Sequence, residues 1–206
     1  MKSLADALVG KAPVGDTSAT TATPPPPYVP NTYSLWKPPV PSRYANASLD
    51  DVPANIRGKF DTIRTTRKGF YIHGGVGTGK THIAYALYRS DIARGARFWN
   101  VTELLREIRA DFERPHNEKQ RVEESLMSHR GILFLDDIGA EKVTDWVLET
   151  FYLIINHYYN ERLPIVFTSN CRIKELDSRI GDRIASRIVE SCDIIELTGA
   201  DRRLAK

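Results

Sequence analysis

Three observations predict an α/β fold for this 206-residue chain, three layers built around a five-stranded parallel sheet. The apolar run Phe70-Tyr71-Ile72 leads into Gly74-Gly75-Val76-Gly77-Thr78-Gly79-Lys80-Thr81, and a helical pattern follows, giving the order strand, phosphate-binding loop, helix. The run Ile132-Leu133-Phe134-Leu135 is unbroken and apolar and ends in Asp136-Asp137, as expected of a parallel strand buried on both faces. Strand-length runs of this kind alternate with helical ones to residue 197, which is the signature of helices packed on both sides of one sheet.

Composition narrows the function classes. A net charge of +3 is too small for the chain as a whole to be an electrostatic nucleic-acid binder, so any DNA contact must be local. Cys171 and Cys192 stand far apart without metal-ligand spacing and fit free, buried thiols in a reducing compartment. No apolar run is long enough to span a bilayer, and Asp6 interrupts the short apolar N-terminus, which argues against a signal peptide. A cytoplasmic protein with no membrane partner is expected.

The chain divides into a tail, residues 1–45, and a domain, residues 46–206. The tail holds Pro13, a Thr/Ser/Ala stretch and Pro24-Pro25-Pro26-Pro27, which bury too little apolar surface to offset chain entropy; a disordered, partly polyproline segment is predicted. Leu4 and Leu8 at helical spacing make its far end either a docking element for another protein or a frayed terminus. Tyr33, Trp36 and Tyr44 lack an accompanying basic run and are read as aromatic anchors that pack the linker onto the domain.

Within the domain, Pro53 to Thr66 reads as a helix with Ile56, Phe60 and Ile63 on one face. Arg57, Lys59, Arg64, Arg67 and Lys68 surround it, either as a DNA-facing surface or as a solvated one. Strand one, from Phe70 to His73, precedes the glycine-rich loop. There Gly74, Gly75, Val76, Gly77, Thr78 and Gly79 let backbone N–H groups turn around the β-phosphate. Lys80 reaches the β- and γ-phosphates and Thr81 is placed to ligate Mg²⁺. The helix from Lys80 to about Arg94 points its positive end at the same phosphates.

Ala96 to Val101 is a second strand, followed by a helix from Thr102 to about Phe112 with Thr102 as its cap and Glu103 in its first turn. Pro115 breaks it before a second helix, from about Asn117 to Ser128. Basic and acidic residues are mixed through both. The third strand, Gly131 to Asp137, ends where ligands bind in such sheets, so Asp136 is expected to hold Mg²⁺ and Asp137 to polarise the attacking water. Val143, Trp146, Val147, Phe151, Ile154, Ile155 and Tyr158 recur at helical spacing and form a core stripe. The strand Ile165-Val166-Phe167-Thr168 ends at Ser169-Asn170, which places the Asn170 amide either to orient water near the γ-phosphate or as an ordinary turn residue. Helical pieces from Ile173 to about Val189 and a last strand from Cys192 to Leu197 complete the domain.

Gly74 to Thr81, Leu133 to Glu141 and Thr168-Ser169-Asn170 together resemble the AAA+ ATPases. Asp136 to Lys142, Gly181-Asp182-Arg183-Ile184-Ala185-Ser186-Arg187 and Gly199-x-Asp201-x-Arg203 are similar to the DnaC/IstB group of helicase loaders and transposition ATPases. The likeness covers residues 45 to 206. It implies an ATP- and Mg²⁺-dependent ATPase that self-associates on ATP or DNA and has a replicative DNA helicase and single-stranded DNA as partners; a transposase is the alternative partner. It also implies an arginine finger acting on a neighbouring subunit's ATP, best matched by Arg187, with Arg183 second. The two-helix insertion resembles the extra helical element of the initiator and loader branch. There are departures. Asp137 stands where many AAA+ members have Glu, implying slow, partner-stimulated hydrolysis. The sequence stops soon after the final strand, so the C-terminal helical lid is expected to be missing, with Arg202 or Arg203 as a weak substitute for its sensor.

Overall fold

The computed structural model describes residues 40–113 and 122–201. The expectations for the proline run, the Leu4/Leu8 turn, Tyr33, Trp36, the break at Pro115, Arg202 and Arg203 lie outside the described residues. Two short turns, Ser42–Tyr44 and Leu49–Asp51, lead into α1 (Ala54–Thr66), β1 (Gly69–His73), α2 (Lys80–Asp91), β2 (Arg97–Asn100), α3 (Val101–Glu113) and α4 (Val122–Ser128). Then follow β3 (Leu133–Asp136), α5 (Asp145–Asn160), β4 (Ile165–Ser169), α6 (Ile173–Ile180), α7 (Asp182–Ser191) and β5 (Cys192–Glu196).

The sheet is five-stranded in the order β2-β3-β4-β1-β5, and every pair is parallel. Alternation along the strands divides the core into two halves. Tyr71, Leu133, Leu135, Ile165 and Phe167 face α3 to α7, whereas Phe70, Ile72, Phe98, Phe134 and Val166 face α1, α2 and the segment before them. This makes the three layers predicted from the sequence. Fully burying an aromatic or branched side chain of this kind contributes about 1.5–3 kcal/mol, so both halves are needed to hold the sheet between its helices.

Local chemistry shifts several boundaries. Thr102 does not cap α3: the Asn100 side-chain oxygen accepts from the backbone N–H groups of Thr102 and Glu103 at 3.1 and 3.4 Å, and the helix begins at Val101. A short amide at the end of a strand reaches those orphan donors better than a residue already inside the first turn. Helix α2 stops at Asp91, three residues before the expected end, and Ile92–Arg94 is a separate tight turn closed by Gly95. Val143 lies before α5, whose cap is Thr144, so the core stripe starts at Val147, with Trp146 half-buried and its ring under the Arg109 guanidinium at 4.6 Å.

Arg57, Lys59, Arg64 and Lys68 of the basic stretch around α1 form ion pairs within the domain. Lys59 and Lys68 both reach Asp193 on β5, at 2.5 and 3.0 Å, and Arg64 reaches the buried Asp91 at 2.5 Å. The hydrogen bond from Lys59, then that from Lys68, hold the Asp193 carboxyl below its usual range. Tyr44 stacks on Tyr85 of α2, with ring centroids 4.5 Å apart, as an anchor should. The Asp51 carboxylate meets His82 of the same helix at 3.0 Å. Cys171 and Cys192 are buried free thiols.

Candidate nucleotide-binding site

The carboxyl ends of β1, β3 and β4, adjacent in the sheet, carry the candidate residues. After β1 the chain turns through Gly74 to Gly79 and enters α2 at Lys80. Gly79, the residue before the helix, has φ 99°, and Gly77 has φ 78°; both lie in the left-handed region that side chains disfavour. A Cβ at Gly77 would stand 1.8 Å from a carboxylate oxygen of Asp201, so the chain after β5 also closes against this loop. The Leu197 N–H donates to the His73 carbonyl at 2.7 Å and fixes the start of that return. The first-turn N–H groups of α2 open toward the loop, which makes its mouth an anion site.

Lys80 is buried, and its ammonium donates to the carbonyls of Gly74 and Gly75 at 2.8 and 2.7 Å. The positive charge is therefore held at the loop itself. Thr78 braces the loop from within by donating to the Gly75 carbonyl at 2.9 Å.

Asp136 closes β3 and is buried. Burial pushes its carboxyl up from the usual range; hydrogen bonds from Thr168, Thr81 and Asn100 oppose that shift, and the neighbouring Asp137 adds to it. The Thr81 hydroxyl of the glycine-rich motif is thus among the groups that hold the Asp136 carboxyl down against its burial. A hydroxyl at the loop end and a carboxylate at the strand end are hard oxygen donors, which suits Mg²⁺ held through few protein ligands, waters and substrate phosphates. Among the described residues no cluster of three or more His, Cys, Asp or Glu side chains offers an alternative cation site.

Asp137 leaves the strand with φ 65°. Its N–H donates to the Thr168 hydroxyl at 2.9 Å and its carboxylate accepts from the Asn170 amide at 2.9 Å. Asp137 is half-buried and Asn170 exposed, so this pair faces the open side of the site. Below it, the Ile138 N–H donates to the Thr168 carbonyl at 2.9 Å and the Ser169 hydroxyl to the Ile138 carbonyl at 2.6 Å, continuing the β3–β4 seam past the strand ends.

Residues 74–81, Asp136, Asp137 and Asn170 therefore converge at one end of the sheet. Arg183 and Arg187 lie on the α5–α7 face. Arg187 donates to the Asn156 side chain at 2.9 Å and lies over the rings of Tyr152 and Tyr159 at 5.0 and 5.6 Å; Arg183 is exposed. Sequence reasoning gave no role to Thr168, Asn100 or Asp201. The signal for the first two was the one used for Asn170, a polar residue at the end of an apolar strand, and Asn100 stands beside Asp136 in the strand register.

The replicative helicase loader DnaI of Bacillus subtilis (strain 168) is 31% identical over 154 residues, 66% of this chain and 48% of that protein. A protein of insertion sequence IS5376 from Geobacillus stearothermophilus is 30% identical over 139 residues, 64% of this chain and 53% of that protein. The chain spans about half the length of the curated relatives it matches. The crystal structure of the DnaC helicase loader is similar with a TM-score of 0.63 at 25% identity, covering 76% of this chain and 99% of that one. With the phosphate loop, the strand-end carboxylates and this AAA+ fold in place, the chain belongs to the family of IstB-like ATP binding proteins, whose profile matches residues 59–206.

Proposed function

We propose that this chain is a helicase loader, an ATPase that assembles with a replicative DNA helicase and single-stranded DNA in the ATP-bound state and releases them on hydrolysis. The observation that carries the hydrolytic part is the pairing of Asn170 with Asp137 next to the buried Asp136, because it sets a candidate base and a candidate metal-binding carboxylate at one strand end. The loader part is supported by the likeness to DnaI and to the DnaC helicase loader.

In the mechanism that follows, Lys80 exchanges the Gly74 and Gly75 carbonyls for oxygens of the β- and γ-phosphates. Thr81 and Asp136 would hold Mg²⁺, which would supply charge neutralisation at those phosphates. Asp137 accepts the proton of the attacking water, and Asn170 fixes the carboxylate and the water relative to each other. The water oxygen bonds to the γ-phosphorus as the bond to the bridging oxygen breaks, so ADP and inorganic phosphate leave. Arg187 of a neighbouring subunit acts on the γ-phosphate charge, and Arg183 is the second candidate.

The test is the mass of the assemblies that the chain forms with its cognate replicative helicase, with ATP and without nucleotide. A complex that forms with the full chain and is lost on removing residues 1–39, while ATP binding persists, supports both the loader reading and a docking role for the tail. The absence of any complex favours the second reading, a transposition accessory ATPase, which the insertion-sequence relative supports. Binding of ATP with hardly any turnover would instead make the protein a nucleotide-gated binding module.

A further inference from the structure

We infer that Thr168 is a positioning residue that sets the metal-binding Asp136 and the base Asp137 from one hydroxyl, an inference that rests on the hydrolytic reading above. Thr168 is 1% exposed, and its hydroxyl lies 2.7 Å from the Asp136 carboxylate and 2.9 Å from the Asp137 N–H. The direction of both bonds is forced. A backbone N–H can only donate, so the hydroxyl oxygen accepts from Asp137, and its one proton goes to Asp136. That proton occupies Oδ1 of Asp136, which leaves Oδ2 as the oxygen for a cation.

The second bond acts on the backbone. Asp137 is a non-glycine residue at φ 65°, a conformation that persists only where its surroundings hold it. Pairing of β3 with β4 runs in register through Leu135 and Phe167, and at the next position the Thr168 side chain, rather than a main-chain carbonyl, takes the Asp137 N–H. The ladder is thereby diverted by one side chain, and the diversion turns the Asp137 carboxylate toward Asn170. Replacing the hydroxyl with a methyl leaves the half-buried Asp137 N–H without its acceptor and the buried Asp136 carboxylate without one of its donors.

The test uses the full chain as Thr168→Val, which keeps the shape, and Thr168→Ser, which keeps the hydroxyl. ATP binding is titrated without metal and against Mg²⁺, and hydrolysis is followed across the same Mg²⁺ range. Thr168→Val is expected to bind ATP without metal like the wild type, to need about 10- to 100-fold more Mg²⁺, and to hydrolyse correspondingly slowly; Thr168→Ser restores both. A wild-type Mg²⁺ requirement in Thr168→Val overturns the inference, as does a Thr168→Ser variant as defective as the valine, which would mark a packing role. Where the valine variant does not fold, Thr168→Ala gives the same comparison against serine. A wild-type chain with no Mg²⁺ dependence in binding or turnover overturns the hydrolytic reading and this inference together, whereas an active wild type beside an unchanged valine variant removes only Thr168.

Discussion

The Asn170 amide donates to the Asp137 carboxylate across 2.9 Å, although the two residues are 33 positions apart and each sits just past the end of its own strand. Parallel neighbours in a sheet bring their carboxyl ends to the same edge, so the contact follows from β3 lying beside β4. Under the proposed function, the carboxylate that is oriented by an amide donor and reachable from the open side takes the proton from water, and the more deeply buried Asp136 holds the metal.

Asp137→Asn is therefore expected to lower the ATP hydrolysis rate by about 10²- to 10⁴-fold while ATP affinity stays within about twofold. Asn170→Ala lowers the rate less, because the base is kept and only its orientation is lost. Steady-state phosphate release and equilibrium binding of a fluorescent ATP analogue separate the two effects. A large loss of affinity in Asp137→Asn would move that residue from catalysis to binding.

Lys80→Ala removes the ammonium now held by the Gly74 and Gly75 carbonyls. A charge-assisted hydrogen bond to phosphate contributes about 1.5–3 kcal/mol, so ATP affinity should fall by about 10- to 100-fold. The apo protein should melt close to the wild type, since the carbonyls released from Lys80 lie at the mouth of the loop. Calorimetric binding and thermal melting check both halves; unchanged ATP affinity would show that the ammonium is not a phosphate ligand.

The positions of the glycine-rich loop, both strand-end carboxylates and the Asn170 amide at one edge of the sheet were legible because each stands at the end of an apolar run, whereas the sequence left the use of Asn170 open between orienting water and an ordinary turn. The parallel sheet was legible for the same reason, since strands such as Phe70 to His73 and Ile132 to Asp136 are apolar on both faces. Contacts between residues distant in sequence were not. Nothing local says that Thr168 bridges Asp136 and Asp137, that Asp201 returns to Gly77, or that Lys59 and Lys68 converge on Asp193. The cap of α3 was misplaced because Asn100 and Thr102 are both good caps by composition, and only the strand's end point decides between them.

Acid should destabilise the fold through His129. The ring is buried between the Gly95 carbonyl and the Tyr158 hydroxyl, each 2.7 Å away. The carbonyl can only accept, so Nε2 carries the proton, and Nδ1 of the neutral ring accepts from Tyr158. Burial lowers the His129 pKa from 6.5 to about 4. With the folded value below the unfolded one, stability is full above pH 6.5 and is lost as pH falls toward 4, by at most about 3 kcal/mol. Between pH 7.5 and pH 5 the melting temperature should drop by several degrees more in the wild type than in His129→Gln; equal drops would exclude this histidine as the source.

Arg187 offers the decisive check on assembly. Its guanidinium is held by Asn156, Tyr152 and Tyr159 on the α5–α7 face, so it is presented from a packed helix pair rather than from a loop. If it completes a neighbour's site, Arg187→Ala should bind ATP normally yet hydrolyse it about 10³-fold more slowly or worse, as loss of an arginine finger does. Removing its ring and amide contacts also costs about 1–2 kcal/mol of stability, which melting must record so that unfolding is not mistaken for lost catalysis. Mixing settles the geometry. Arg187→Ala supplies an intact ATP site and Lys80→Ala an intact finger, so co-assembled subunits should regain part of the activity that each lacks separately. Recovery with Arg187→Ala and none with Arg183→Ala assigns the finger to Arg187, the reverse assigns it to Arg183, and no recovery with either shows that hydrolysis is completed within one subunit.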